Sequence, residues 1–153
     1  MMYRWIVTGL VALAGSASIA LAEQPEIPLM NDNGPRLADL MEGAQSRHAK
    51  LWFAGKAGNW NLAAYEIKQI QSRLEDAATL YPGLPVTDLT TMAGPLRALA
   101  EAVKAKEGKR FEVAFDDVTR ACNACHDASS RGFISIKRPT APPFSNQVFE
   151  YKK

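Results

Sequence analysis

The two cysteines of the chain stand three residues apart, and a histidine follows the second one directly. The stretch Thr119 to Ala128 reads TRACNACHDA, with Cys122, Cys125 and His126 as its reactive side chains. This spacing occurs in small disulfide loops, in thioredoxin-like redox pairs, in half of a zinc site and where haem c is covalently attached. The four uses differ in compartment and in local structure, so the surrounding sequence can separate them.

The first 22 residues predict a secretory signal peptide. Arg4 precedes an apolar run from Trp5 to Leu13, and small residues lead to Ala20-Leu21-Ala22 ahead of the acidic Glu23. The apolar run is shorter than the roughly 20 residues that a spanning helix needs, so we expect no stable membrane insertion. We therefore expect export to the bacterial periplasm.

Cleavage at this point leaves a chain of the size of one domain, since 153 − 22 is 131 residues. The full sequence has 18 lysines and arginines against 16 aspartates and glutamates, too close to balance for a nucleic-acid-binding surface. No Ser-His-Asp set, paired catalytic carboxylates or phosphate-binding glycine loop stands out. We expect a carrier or binding protein and not an enzyme.

The apolar residues of the mature chain recur at helical spacing. After an irregular lead-in at residues 23–35, the pattern predicts a helix over 36–56 and another over 60–81, with Asn59 as the N-cap of the second. The turn between them is flanked by three aromatic residues, Trp52, Phe53 and Trp60. We expect these aromatics to form a packed cap at the end of the fold farther from the cysteines. A partner surface or a homodimer contact is the alternative.

Two further helices follow. The third is predicted to have Pro95 in its first turn and to close at Gly108, with the segment 87–93 as an alternative extension. The fourth begins near Arg110 and has both cysteines on its buried face. Four such helices, without an alternating strand pattern, predict an all-α antiparallel four-helix bundle over residues 36–131 whose core can hold a cofactor.

The last residues, 132–153, contain prolines that forbid a continuing helix, so we expect an extended tail. Four apolar side chains of this tail are expected to pack on the bundle surface: Phe133, Ile134, Ile136 and Phe144. A docking strip for a partner protein is the alternative.

The position of the cysteines inside a helix favours one use of the motif. A disulfide across three helical residues is strained, and a thioredoxin-like pair belongs at a helix N-terminus in a βαβ unit. A zinc site would lack a second pair of ligands. Two thiols at i and i+3 can each add to a haem vinyl group while the next imidazole turns toward the iron. The residues favour one haem c, with Cys122 and Cys125 as thioether attachment points and His126 as proximal iron ligand.

The stretch KRFEVAFDDVTRACNACHDASSR, at the end of the last of four helices, resembles the cytochrome c′ class of periplasmic four-helix-bundle cytochromes. The resemblance is specific over the last third of the bundle and architectural before it. It implies the same roles for Cys122, Cys125 and His126, and it places the distal side of the iron against the first helix. The tail from Gly132 onward is longer than such cytochromes usually carry.

Two residues of the first helix are candidate distal ligands. Met41 is level with His126 if the first and last helices are antiparallel neighbours, and His48 is displaced by about 10 Å at 1.5 Å per residue. Either ligand would give an electron carrier that serves periplasmic or membrane redox proteins, which we expect. An open iron that binds nitric oxide or carbon monoxide is the alternative. The candidate cations for the haem propionates are Arg36, Arg131 and Lys137.

Overall fold

The computed structural model describes residues 34–84 and 86–150. Over these residues the chain forms four α-helices and no strand: α1, Leu37–Lys56; α2, Trp60–Leu80; α3, Val86–Ala105; and α4, Gly108–Ala128. The prediction of an all-α, four-helix architecture is confirmed. The predicted signal peptide and nearly all of the predicted lead-in lie outside the described residues.

The turn between α1 and α2 is defined by a glycine and an asparagine. Gly58 has a φ of 67°, which a glycine adopts without a steric penalty. Asn59 follows, and its side-chain oxygen accepts a hydrogen bond from the backbone N–H of Leu62 at 3.1 Å. Asn59 is therefore the N-cap of α2, as the sequence predicts.

α3 differs from its prediction at both ends. It begins at Val86, so Pro95 lies inside the helix and the alternative extension is the observed one. Burial of Met92 and Leu96 on either side helps to offset the hydrogen bond that proline cannot donate. The helix ends at Ala105, and Gly108 is the first residue of α4 and not the end of α3.

The helices pack in chain order around one main core. α1 packs along α2, α3 packs along α4, and α2 also contacts α3. The largest fully buried side chains of this core come from α1, α3 and α4: Leu51, Leu99, Phe111, Phe115 and Val118. None of the helices in the described part of the chain is long and apolar enough to span a membrane.

The aromatic cap is confirmed. The Trp52 and Trp60 rings lie 6.2 Å and 6.1 Å from the ring of Phe111, and the Phe53 ring lies 5.7 Å from that of Phe149. These contacts close the end of the bundle where α1 meets α2 and where α4 begins.

α1 and α4 are in contact at this end of the bundle. The ring of Phe115 lies 4.9 Å from that of Trp52 and 4.3 Å from that of His48. Beyond His48, toward the start of α1 and the end of α4, a cavity of about 600 Å³ lies between the two helices. Side chains of α2 and α3 also line this cavity, and the motif residues lie on its wall.

Residues 131–150 form neither helix nor strand, and they run back from the end of α4 along the side where α1 and α4 meet. Arg138 binds Asp116 of α4, and the backbone carbonyl of Phe149 accepts a hydrogen bond from Asn59 at 3.0 Å. Phe149 thereby lies beside the aromatic cap.

The expected packing of the four apolar tail side chains is wrong for Phe133, which is 74 % exposed, and holds best for Ile136, which lines the cavity. Ile134 and Phe144 are also exposed. The main apolar anchor of the tail is Phe149, which is 6 % exposed. Its ring packs on that of Phe53, and its carbonyl is held by the hydrogen bond from Asn59.

Candidate haem site

The cavity brings together all five of the predicted site residues. Cys122, Cys125 and His126 lie on its α4 wall, and Met41 and His48 lie on its α1 wall. Its volume of about 600 Å³ is in the range of small-molecule and cofactor sites. Most of the other side chains around it are apolar: Leu37, Ala38, Ala44, Ile70, Leu74, Leu84, Met92, Val118, Ile134 and Ile136.

The two cysteines lie one turn apart near the C-terminal end of α4. They are partly buried, and in the described structure neither is part of a disulfide. They are far from the helix N-terminus, so the helix dipole does not activate them as it does in thioredoxin-like pairs. Burial, and to a smaller extent the neighbouring Cys125, raises the pKa of the Cys122 thiol to about 11. The geometry therefore gives no support to a dithiol redox site.

The zinc interpretation is also without geometric support. Nowhere in residues 34–84 and 86–150 do three or more His, Cys, Asp or Glu side chains cluster closely enough to hold a metal ion by themselves. Structural zinc sites use four such ligands.

The ring of His126 is oriented by the tail. Its Nδ1 lies 2.7 Å from the backbone carbonyl oxygen of Ile134. A carbonyl oxygen only accepts hydrogen bonds, so Nδ1 carries the proton and Nε2 keeps its lone pair. Metal-binding histidines have this arrangement, in which the other ring N–H donates to a backbone carbonyl or carboxylate. His126 can therefore serve as an iron ligand through Nε2.

His48 uses its Nε2 differently. This atom lies 2.9 Å from the hydroxyl oxygen of Thr119, and that hydroxyl donates its proton to the backbone carbonyl of Phe115 at 2.9 Å. Nε2 of His48 must then be the donor to Thr119. The side chain is 4 % exposed, and burial lowers its pKa to about 4, so the ring is neutral at neutral pH. His48 is thus a buried part of the cavity wall.

Met41 is partly buried and packs beside Leu40, Ala77 and Tyr81 in the smaller hydrophobic cluster. It lines the same cavity as His126. A thioether is a soft ligand that haem iron accepts opposite a histidine. Met41 therefore remains a candidate distal ligand.

Of the three cations predicted to face haem propionates, Arg131 lines the cavity. Arg36 instead binds Asp39 through two hydrogen bonds of 3.0 Å and 2.9 Å at the start of α1, and Lys137 is exposed outside the lining.

A polar atom in the wall is consistent with a bound group. Within the described residues, Ser129 Oγ is the buried side-chain oxygen without a hydrogen-bond partner, and Ser129 lines the cavity. Buried hydroxyls are normally satisfied. The polar edge of a cofactor at this position would supply a partner, so the residues present fit an amphipathic group such as haem.

Sequence reasoning found the motif residues and both candidates on α1, but it gave no role in the site to Ile134 or Ser129. The first acts through a backbone carbonyl, which leaves no signature in the sequence. Comparisons with family models, curated proteins and solved structures gave no match to this chain. The case for a cofactor therefore rests on the cavity and its side chains.

Proposed function

We propose that the protein is a periplasmic mono-haem c-type cytochrome of the cytochrome c′ class that transfers single electrons between redox partner proteins. When bound, haem iron supplies a one-electron couple between its ferric and ferrous states. One observation carries the proposal: Cys122, Cys125 and His126 share the wall of one largely apolar cavity, and the hydrogen bond at Nδ1 leaves the Nε2 lone pair of His126 available.

The two cysteines would hold the group covalently. Each thiol would add across one vinyl group, with its sulfur bonding to one vinyl carbon and its hydrogen passing to the other. Because burial raises the pKa of Cys122, its thiol is a weak nucleophile in the folded chain. We therefore expect attachment to precede the final packing of α4.

Met41 is the distal ligand that the contacts support best. His48 would have to give up its hydrogen bond to Thr119 to present Nε2, and it packs against the ring of Phe115. Met41 packs on the smaller cluster around Leu40 and Tyr81 and not on the main core, and it lines the cavity. A thioether in this position would fill the sixth coordination site and favour electron transfer over ligand capture.

Gas binding is the second candidate, because Leu37, Ala38 and Ala44 make much of the α1 wall apolar. If Met41 does not reach the iron, this wall leaves one face open to nitric oxide or carbon monoxide.

The optical spectrum of the matured protein, oxidised and dithionite-reduced, with and without carbon monoxide, distinguishes these functions. We expect a sharp low-spin α band in the reduced protein that carbon monoxide does not change. Met41→Ala should convert it to a broad, carbon monoxide-sensitive spectrum, while His48→Ala should stay low-spin. A wild-type spectrum that is already high-spin and shifts with carbon monoxide would overturn the electron-carrier proposal in favour of gas binding. Loss of the low-spin band in His48→Ala alone would move the ligand to His48.

A further inference from the structure

We propose that residues 131–138, here called the brace, position His126 and fix which of its ring nitrogens faces the cavity. The part of this inference that concerns the iron rests on the proposed function, whereas the part that concerns the ring does not. The brace is a specific segment of this chain, and its contacts with α4 are made by backbone atoms and by Asn123, Asp116 and Arg138.

The chain reverses its direction in a tight turn directly after α4. The backbone N–H of Arg131 donates to the carbonyl of His126 at 2.7 Å, and the N–H of Ile134 donates to the carbonyl of Arg131 at 2.8 Å. These two bonds bring the carbonyl of Ile134 back to the helix end, where it accepts the Nδ1–H of His126 at 2.7 Å. The turn thus presents an acceptor to the ring.

Asn123, which follows the first cysteine, holds the brace through two hydrogen bonds. The Asn123 side chain donates from Nδ2 to the carbonyl of Ile136 at 2.9 Å and accepts from the N–H of Ile136 at 2.7 Å. One amide group therefore satisfies both backbone groups of a residue two positions beyond the acceptor carbonyl. Because both bonds are made to a single residue, the register of the brace against α4 is fixed.

Arg138 anchors the C-terminal end of the brace. Arg138 binds both carboxylate oxygens of Asp116, at 2.6 Å and 2.7 Å, and its guanidinium lies 4.5 Å from the ring centroid of Trp52. Bidentate charge-assisted bonds are the stronger and more directional kind. The brace is thereby held against α4 on one side and α1 on the other.

This arrangement has a chemical consequence. A histidine near the surface without an internal acceptor exchanges tautomers and bonds to water. A carbonyl acceptor keeps the proton on Nδ1 and makes Nε2 a more basic ligand. A more basic ligand stabilises ferric over ferrous iron, so an intact brace lowers the reduction potential. Asn123 is therefore a positioning residue that acts through Ile136 and Ile134.

The test measures the midpoint potential of matured full-length variants. Asn123→Ala removes both bonds to Ile136 and is expected to raise the potential. Asn123→Asp retains an acceptor for the Ile136 N–H and is expected to fall between Asn123→Ala and the wild type. The control is Phe144→Ala, which removes a tail side chain outside the brace. The centroid of this ring lies 4.4 Å from Nζ of Lys50 on α1. The control variant should keep the wild-type potential. A wild-type potential in Asn123→Ala, or an equal rise in Phe144→Ala, would overturn the inference.

A second measurement does not depend on the haem. Long-range ¹⁵N–¹H correlation spectra of the full-length, haem-free chain, recorded where the imidazole is neutral, report the tautomer of His126. We expect the Nδ1–H form in the wild type and a mixture with the Nε2–H form in Asn123→Ala. A His126 ring protonated on Nε2 in the haem-free wild type would overturn the proposed role of the brace, even if the matured protein carries haem. If the matured protein carries no haem, the proposed function fails, and the tautomer still decides the brace.

Discussion

Each of the two histidines donates one ring N–H to an oxygen inside the chain, but the donors are different nitrogens. His126 donates from Nδ1 to a backbone carbonyl at the edge of the cavity, and His48 donates from Nε2 to a hydroxyl inside the core. The first arrangement leaves the lone pair of Nε2 available, whereas in the second Nε2 carries the proton that is donated to Thr119. The two histidines therefore differ in which ring nitrogen they leave without a hydrogen bond inside the chain, although both line the same cavity.

Burial of His48 makes the stability of the fold dependent on pH. Its pKa is about 4 in the folded chain and about 6.5 in the unfolded chain. Between these values the unfolded chain binds a proton that the folded chain excludes. The stabilisation is complete above pH 6.5 and is lost as the pH falls toward 4, by up to about 3 kcal/mol at 1.36 kcal/mol per pKa unit.

His48→Gln tests this directly, because glutamine can still donate to Thr119 but does not titrate. We expect urea unfolding at pH 7 and pH 4.5 to show a loss of unfolding free energy about 2–3 kcal/mol larger in the wild type than in the variant. Carboxylates that also titrate in this range contribute equally to both proteins. An equal loss in both would show that His48 is not the source of the acid sensitivity.

At the scale of the helices, α1 and α4 are in close contact at a glycine. A Cβ placed on Gly55 would lie 2.1 Å from the nearest ring atom of Phe111, whereas one on Gly43 would meet the flexible side chain of Arg73 at 3.4 Å. Both glycines lie inside α1, so both carry the same low helix propensity. The difference between them is the neighbouring helix.

The pair Gly55→Ala and Gly43→Ala measures the close approach. We expect Gly55→Ala to lower the free energy of unfolding by about 1–3 kcal/mol, because the added methyl group overpacks the core against Phe111. Gly43→Ala should raise it by up to about 1 kcal/mol through helix propensity. Chemical denaturation of the two variants checks this, and stabilisation by both would mean that α1 and α4 are farther apart at Gly55.

Periodicity predicted the four helices because each has an apolar face that is buried in the same core. Local signals predicted less well: Asn59 is an N-cap, but Pro95 does not start α3 and Gly108 does not end it. The side chains of Met92 and Leu96 gain more from continued helical packing than the proline loses. Such a balance depends on the partner helices and cannot be evaluated from the segment alone.

At the scale of the molecule, the site is a cavity that side chains of all four helices line, and the tail returns along the side where α1 and α4 meet. The motif predicted Cys122, Cys125 and His126 as site residues, and the antiparallel arrangement predicted that Met41 would lie near His126. All four side chains line one cavity. The brace could not be predicted, because it joins an asparagine and a histidine to backbone atoms eight to thirteen residues away. Backbone acceptors have no residue-specific pattern.

The central claim is that the cavity holds one haem bound covalently through Cys122 and Cys125. The most direct test is mass spectrometry of the protein matured in a host that attaches haem c, as intact chain and as the proteolytic peptide that contains both cysteines. We predict the mass of one haem on this peptide and none on Cys122→Ala/Cys125→Ala. A matured chain of unmodified mass, with both thiols open to alkylation after denaturation, would contradict the account.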